Sequence, residues 1–537
     1  MKWSSPKGNL LISFVALFLG TTCAWAQVGT TSVRGVVTDK SGAVITSAKV
    51  SLTNAGQALT RETTTSSSGE YEFVALPPGS YTLRVEMQGF RGFENKNVQL
   101  LVNLPTTLNV TLEVGVASQT VEVSAQAVTL NTTDATLGIA FDENQVKQLP
   151  MEGRNVPDLL SLQAGVLYTG NRSDINVDTD TRNGAVNGAR SDQSNITLDG
   201  MPVNDSGGHA FKSVLPVTLD SVQEFRVTTT NYNADQGGSS GAQVALVTKS
   251  GTNAFHGSAY EYHRNTYTSA NDYFVKLAEL GAGNPNVPPK LIRNVFGGSV
   301  GGPVVKDRLF FFANFEGARR AEETSELRTI PTDTLRDGVV YYLCANGSQC
   351  PGVAAGAAGA PVGVSGTSYA VPAGYFAVDP TRIKQMDPLK LGPNLASLAY
   401  FNSFPHANDT GVGDGFNYSG FRFSAPLSDT KNWYIARLDY NITRDAKQRL
   451  SWSGALANES NPQHQYLPSS PAGSLFDYTN AQSTLLDYSR GFVASYSSVL
   501  TNNLVNNFRY GYIRESIGNA GDSNQTYISS CAGSAKE

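Results

Sequence analysis

The chain has 537 residues, too many for one compact core, so several domains are expected. Only 16% of residues are charged, while glycine reaches 52, tyrosine 23 and phenylalanine 24; this balance suits an all-β protein better than a helical one. A net charge of −5 leaves no electrostatic footprint for nucleic acid, and 5 scattered histidines with 4 cysteines leave little from which to build a metal site.

Residues 1–26 show the three parts of a secretion signal. Lys2 and Lys7 supply the basic start, LLISFVALFL from Leu10 the apolar run, and Ala24-Trp25-Ala26 a small-x-small cleavage site before Gln27. The run is too short for a spanning helix, which takes about 20 residues. No later stretch comes near that length, so any later membrane insertion is expected through strands.

Residues 30–114 read as a β-sandwich. VRGVVTDKSGAVITSAKVSLTN alternates apolar and polar positions around the turn Asp39-Lys40-Ser41-Gly42. Tyr81, Leu83, Val85 and Met87 can face a core, and Leu108, Val110 and Leu112 repeat the rhythm. Gly35, Asp39, Gly42, Ala48 and Val50, then GEYEF from Gly69, LPPGSY from Leu76 and Gly89-Phe90, resemble the carboxypeptidase regulatory-like domain. That resemblance implies a prealbumin-like or starch-binding-like sandwich serving as an accessory, with a stable spacer set against ligand or carbohydrate binding. Tyr71, Phe73 and Tyr81 sit in core phase, so no aromatic sugar platform is evident.

Residues 115–250 form the next unit. Thr120, Val121, Glu122, Val123 and Ser124 resemble the short extended box through which TonB-dependent receptors contact TonB; such a box would add a strand to the partner's sheet edge. A short helix is expected near Pro157, with Leu159, Leu160 and Leu162 on its apolar side and Gly165 at its end. NITLDGMPVN, with Asp199-Gly200 between apolar runs and Pro202 following, reads as a hairpin. Together with Gly241, Thr248 and Lys249 in the closing strand, it resembles the plug domain of those receptors. The acidic run Asp174, Asn176, Asp178, Asp180 lacks the glycine that a calcium loop needs, since Thr179 stands there, and reads as a solvated loop.

From residue 252 to 537 the pattern is that of antiparallel transmembrane strands. In RLFFFANFEGAR, Leu309, Phe311, Ala313 and Phe315 share one face and Phe310, Phe312, Asn314 and Glu316 the other. In NWYIARLDYNIT, Tyr434, Ala436, Leu438 and Tyr440 oppose Arg437 and Asp439, which suits a lipid exterior and a wet lumen. Two further strands flank Thr501-Asn502-Asn503, with Phe508, Tyr510 and Tyr512 toward lipid. NVFGGSVGGPVVKDRLFFFANFEGAR resembles Oar-like TonB-dependent receptors, and residues 320–430 read as large extracellular loops. Cys344 and Cys350 bracket a short loop and are expected to form a disulfide, leaving Cys531 without a partner once Cys23 departs with the signal. A barrel that holds a plug needs around 22 strands, whereas this stretch has room for eight to ten. A C-terminally truncated barrel is therefore expected.

The fold class expected is all-β dominated: an N-terminal β-sandwich, a small α+β plug and a partial antiparallel transmembrane β-barrel. The resemblance implies an outer-membrane receptor for energised uptake of a scarce nutrient, with a periplasmic N-terminal domain. Its partners would be the TonB complex of the inner membrane, outer-membrane lipid and an unknown extracellular ligand, with no nucleic acid, cofactor or metal. The alternative is a surface adhesin or carbohydrate-binding outer-membrane protein reusing these modules. Gly237–Gly241 and Gly297–Gly301 both match G-x-S-x-G, but neither is followed by helical sequence, so no enzyme is expected.

Overall fold

The computed structural model describes residues 29–115, 120–122, 135–149, 154, 156–167, 185–190, 193–205, 213–233, 236–271, 273, 276–277, 280, 283, 285–345, 350–443, 445–463, 483–501 and 504–521. The signal segment, the acidic run at 174–180 and Cys531 lie outside these residues.

The first body is a two-sheet sandwich. Its strands are β1 (Thr31–Asp39), β2 (Lys49–Asn54), β3 (Leu59–Thr64), β4 (Glu70–Leu76), β5 (Gly79–Glu86), β6 (Gly92–Leu100), β7 (Thr106–Thr107) and β8 (Val110–Leu112). One sheet sets β1 between β4 and the short pair β7 and β8; the other runs β3-β2-β5-β6 and gains β9 (Thr120–Glu122) at its edge. The period-two pattern is the cause: Val33, Val37, Val50, Leu52, Leu83, Val85, Val110 and Leu112 meet in one core. Tyr71 and Tyr81 are buried, and their hydroxyls donate to Leu108 O at 2.6 Å and Pro77 O at 2.8 Å. Both rings are therefore committed inward.

The second body is built on a sheet ordered β10-β15-β16-β13-β14, from β10 (Leu137–Asp142), β13 (Asn195–Leu198), β14 (Met201–Pro202), β15 (Val222–Thr230) and β16 (Gln243–Thr248). A small ribbon pairs β11 (Val166–Leu167) with β12 (Ala185–Val186). An α-helix, α1 (Glu143–Gln148), forms where none was expected. Its signal is a capping box: Asp142 Oδ1 accepts from Gln145 N–H at 2.9 Å, and Asp142 N–H donates to Gln145 Oε1 at 3.1 Å. The helix expected near Pro157 is instead a 3-10 turn over Val156–Leu162, which buries Leu159 and Leu160 but leaves Leu162 exposed. Seven residues do not repay helix nucleation, and proline removes a donor.

The third body is one antiparallel sheet. It contains β17 (His256–Asn265), β18 (Leu291–Val305), β19 (Leu309–Pro331), β22 (Tyr418–Asn441), β23 (Gln448–Gln463), β24 (Ser483–Asp487), β25 (Arg490–Thr501), β26 (Leu504–Arg514) and β27 (Ile517–Gly521). The segments β24 and β25 both pair with β23, and β27 and β26 pair with β24 and β25 in turn, so nine segments make seven crossings. Among the described residues β17 and β26 do not pair with each other. Side chains along β26 alternate between exposed and half-buried; Phe508, Tyr510 and Tyr512 lie outside, with Phe508 62% exposed. Phe310, Phe312, Asn314 and Glu316 are buried on the inside, as their phase implied.

Two expectations are corrected. Residues 320–331 and 418–430 are not loop: β19 and β22 pair without a break from Leu309↔Tyr440 to Pro331↔Tyr418. At 23 and 24 residues these strands far exceed the about 9–11 that cross a bilayer, because a paired ladder satisfies the backbone whether or not its side chains suit lipid. The connection proper is a cap over 332–417 with β20 (Val340–Leu343), β21 (Tyr375–Val378), three short helices and the Cys344–Cys350 disulfide, whose Cα atoms are 6.3 Å apart. The lumen beside Arg437 and Asp439 is also not an open channel. It is occupied by the second body, whose core continues into Ile435 and Ala455 of the barrel wall.

Candidate functional site

The contact between plug and barrel begins with a two-residue turn. Asp199 at φ 49° and Gly200 at φ 77° join β13 to β14, as a type I′ hairpin requires, and this points the Asp199 carboxylate out of the plug sheet. Thr248, at the end of the parallel neighbour β16, donates to that carboxylate from its backbone N–H at 3.0 Å and its hydroxyl at 2.8 Å. Arg437 of β22 reaches the same corner. Its Nη1 donates to Asp199 at 3.2 Å and to Thr248 O at 2.8 Å, while its Nε donates to Asp439 at 2.9 Å.

Asp439 is fully buried and is itself shared. Arg449 of β23 ion-pairs with it at 2.9 Å, and the Ser250 hydroxyl donates to it at 2.5 Å. Arg509 of β26 donates to Gly200 O at 3.2 Å. Two barrel strands, β22 and β26, thus close on one plug corner, and Arg449 of β23 braces Asp439 from behind. A buried charge is tolerated only when paired and hydrogen-bonded, and here both carboxylates are.

A second cluster lies across the plug. Arg154 ion-pairs with Asp220 and with Glu316 of β19, each at 3.3 Å, and lies over the ring of Tyr262 of β17, 4.1 Å from its centroid. The Tyr260 hydroxyl donates to Glu316 at 2.9 Å, and the Thr218 hydroxyl donates to Asn314 at 2.7 Å. Lys249 turns to α1 and meets Glu143 at 3.1 Å; burial pushes its ammonium below the usual lysine range, with Glu143 pulling the other way.

The sandwich joins the same assembly. Val102 packs on Ala245 and Val247 of β16, and its N–H donates to both oxygens of Glu224 at 2.8 and 3.0 Å. Burial raises the Glu224 carboxyl to about 8 despite that hydrogen bond and the nearby Arg226. Arg61 donates to Ala446 O, in the β22–β23 turn, at 2.6 Å, and Ala446 enters the sandwich core.

Of the residues singled out in the sequence, Asp199 and Thr248 converge on Arg437, and Gly200 meets Arg509. Lys249 stands beside them but serves α1. Pro202 is the register partner of Thr197 in β14. Gly241 sits where a Cβ would come within 2.6 Å of Ser194 Oγ, so its lack of a side chain permits the approach. Thr120, Val121 and Glu122 lie apart from this corner as β9, paired in parallel with Gly92, Phe93 and Glu94; Val123 and Ser124 lie outside the described residues. Cys344 and Cys350 belong to the distant cap. Sequence reasoning missed Arg154, Asp220, Arg449 and Arg509. The available signal was charge on the inward phase of a barrel strand, visible in Arg437-Leu438-Asp439 and repeated at Arg449 and Arg509. Among the described residues no group of histidine, cysteine and carboxylate side chains could hold a metal.

Comparison with known proteins places these bodies. The carboxypeptidase regulatory-like domain family matches residues 32–113, and the outer membrane beta barrel domain family matches residues 247–535. The TonB-dependent transporter Oar of Myxococcus xanthus is 27% identical over 288 residues, which cover 51% of this chain and 26% of Oar; the chain therefore spans about a quarter of the length of that curated relative. The ferric enterobactin receptor of Pseudomonas aeruginosa superposes over 71% of this chain and 41% of its own, at 12% identity and a TM-score of 0.38. The outer membrane transporter YddB of Escherichia coli covers 70% of this chain and 39% of its own, at 9% identity and a TM-score of 0.36. The chain belongs to the outer membrane beta barrel domain family, carries a carboxypeptidase regulatory-like domain ahead of the barrel, is Oar-like, and has its place in the outer membrane.

Proposed function

We propose that this chain is the plug-bearing, N-terminal portion of a TonB-dependent transporter that captures a scarce nutrient outside the cell and admits it with energy from the TonB complex of the inner membrane. The carrying observation is the unequal attachment of the plug. One corner is held to two barrel strands, to β22 through Asp199, Ser250, Arg437 and Asp439 and to β26 through Gly200 and Arg509, with Arg449 of β23 bracing Asp439, whereas the first plug strand, β10, is an edge strand with little of its surface covered. Tension arriving from the N-terminal side reaches β10 first, at the Leu137↔Thr230 end of its ladder. An edge strand peeled from one end yields one hydrogen-bonded pair at a time, so β10 and α1 can leave while the latched corner stays.

Residues 120–124 are the point of attachment in this reading. Thr120–Glu122 takes up strand geometry against the edge of the sandwich, the same geometry by which an extended segment joins a partner's sheet. The outward Phe508, Tyr510 and Tyr512 meet lipid or its interface. Edges of β17 and β26 that are unpaired among the described residues, together with the length of Oar, support a longer protein whose further strands close the barrel. The cap over 332–417 lies at the extracellular mouth, where selectivity for the nutrient would reside.

The test is deletion of residues 120–124 in the full-length gene. Growth on the transported nutrient is expected to be lost, with surface level and heat-modifiable migration unchanged. Undiminished growth would overturn the reading, and surface binding that persists without any uptake in the parent strain would favour an adhesin.

A further inference from the structure

A cavity of about 70 Å3 lies where the sandwich, the plug hairpin and the inner wall of β23, β25 and β26 meet. One ordered water needs about 10–15 Å3, so the space admits a small polyatomic ion with water. Its lining is donor-rich. Arg61, Arg437, Arg449 and Arg509 all border it, as do Asp199 and the serines Ser451 on β23 and Ser495 on β25, whose hydroxyls hydrogen-bond each other at 2.6 Å.

Two carboxylates, Asp199 and Asp439, answer Arg437 and Arg449. Arg61 has no such answer. It is 7% exposed, its Nη2 is taken by Ala446 O, and its Nε and Nη1 meet no hydrogen-bonding partner among the described residues. Burial lowers its pKa, opposed by the more distant Asp445. Buried donors without acceptors are costly, and a buried cation without a counter-charge more so. Water could answer the donors but not the charge. A group made only of acceptors, carrying negative charge and matching the planar fork of a guanidinium, answers both.

We propose that this junction cavity binds a phosphate-type oxyanion, with Arg61 as its principal ligand and Arg449 and the β23 and β25 serines completing the site. The ion bridges the sandwich to the barrel rim, two bodies also joined there by Arg61 to Ala446, by Asn441 and Arg449 to Gln57, and by the packing of Ala446 into the sandwich core. The same chemistry is offered by free phosphate and by a phospholipid headgroup.

The experiment is calorimetric titration of the full chain, in a nonionic detergent, with inorganic phosphate. Saturable binding is expected, weakened at least tenfold in R61Q and unchanged in R84Q, whose arginine lies on the exposed face of the sandwich paired with Glu86. Should R61Q fail to fold, R61K serves in its place: the charge remains but the fork is lost, and a several-fold weakening is expected. Absence of saturable binding in the parent chain would show the cavity to hold water alone, and equal weakening in R84Q would show an adventitious ion only; either overturns the proposal. Displacement of bound phosphate by dihexanoyl phosphatidic acid identifies a lipid headgroup as the source, and failure to displace identifies the free anion; both sustain the site.

Discussion

Two strands of the same plug sheet differ both in their pairing and in what covers them: β16 lies between β15 and β13, whereas β10 pairs with β15 alone. Every residue of β16 is buried: Val244 and Leu246 face the plug core, while Ala245 and Val247 face Val102 of the sandwich. In β10 only Phe141 is buried, and Leu137 is 61% exposed. Both pair with β15, from opposite sides. A ladder on each edge and cover on both faces hold β16, and β10 has one ladder and little cover. A strand covered on both faces serves as a frame, and a strand covered on one face at one end can be removed.

The largest expected change comes from breaking the latch that supports β16. Arg437→Met leaves Asp199 and Asp439 buried with a partner missing, a loss of about 3–5 kcal/mol by the usual cost of orphaning a buried charge. It should appear as a lowered denaturant midpoint for the chain in detergent. Leu246→Ala attacks the frame itself and should cost about 2–5 kcal/mol as a core cavity. An unchanged midpoint would mean that the apolar cover on β16 contributes little.

Gly241→Ala, just ahead of β16, sets a methyl within 2.6 Å of Ser194 Oγ and 3.0 Å of Gln193 O and should cost about 1–3 kcal/mol. The pH dependence sharpens the other face of the frame. Glu224 is raised to about 8 by burial, above its unfolded value of about 4.3, so the folded state holds a proton that the unfolded chain gives up first. Its stabilisation is full below about pH 4.3 and is lost as pH rises through about 8. Midpoints measured from pH 5 to 9 should fall, and Glu224→Gln should flatten that fall. The smallest effect belongs to β10: Leu137→Ala should stay within about 0.5 kcal/mol, while the amides of β10 exchange with solvent faster than those of β16. Equal protection of the two strands would remove the basis for directed peeling.

Much of this architecture was legible in the chain. Period-two alternation placed Tyr71 and Tyr81 in the sandwich core and Phe508, Tyr510 and Tyr512 on the outer face of β26, because each choice depends only on strand phase. The hairpin at Asp199-Gly200 was legible for the same local reason. Residues 320–331 and 418–430 were misread as loop because they flank a stretch rich in glycine, proline and alanine and lack a continuous lipid-facing side, although pairing with a partner strand is all that a ladder needs. The capping box at Asp142 and Gln145 was present and overlooked, since α1 is too short to show an apolar stripe.

Strand phase, turn chemistry and the order of the bodies are properties of neighbouring residues, and the sequence determined them unaided. The latch and the anion cavity are not of that kind. Asp199 and Arg437 stand 238 residues apart, and Arg61 and Ala446 stand 385 apart. Their meeting depends on how a twisted sheet curves around a plug and where the sandwich rests on its rim. Only the tertiary structure decides this, because burial turns four unremarkable arginines into groups that must each find an acceptor.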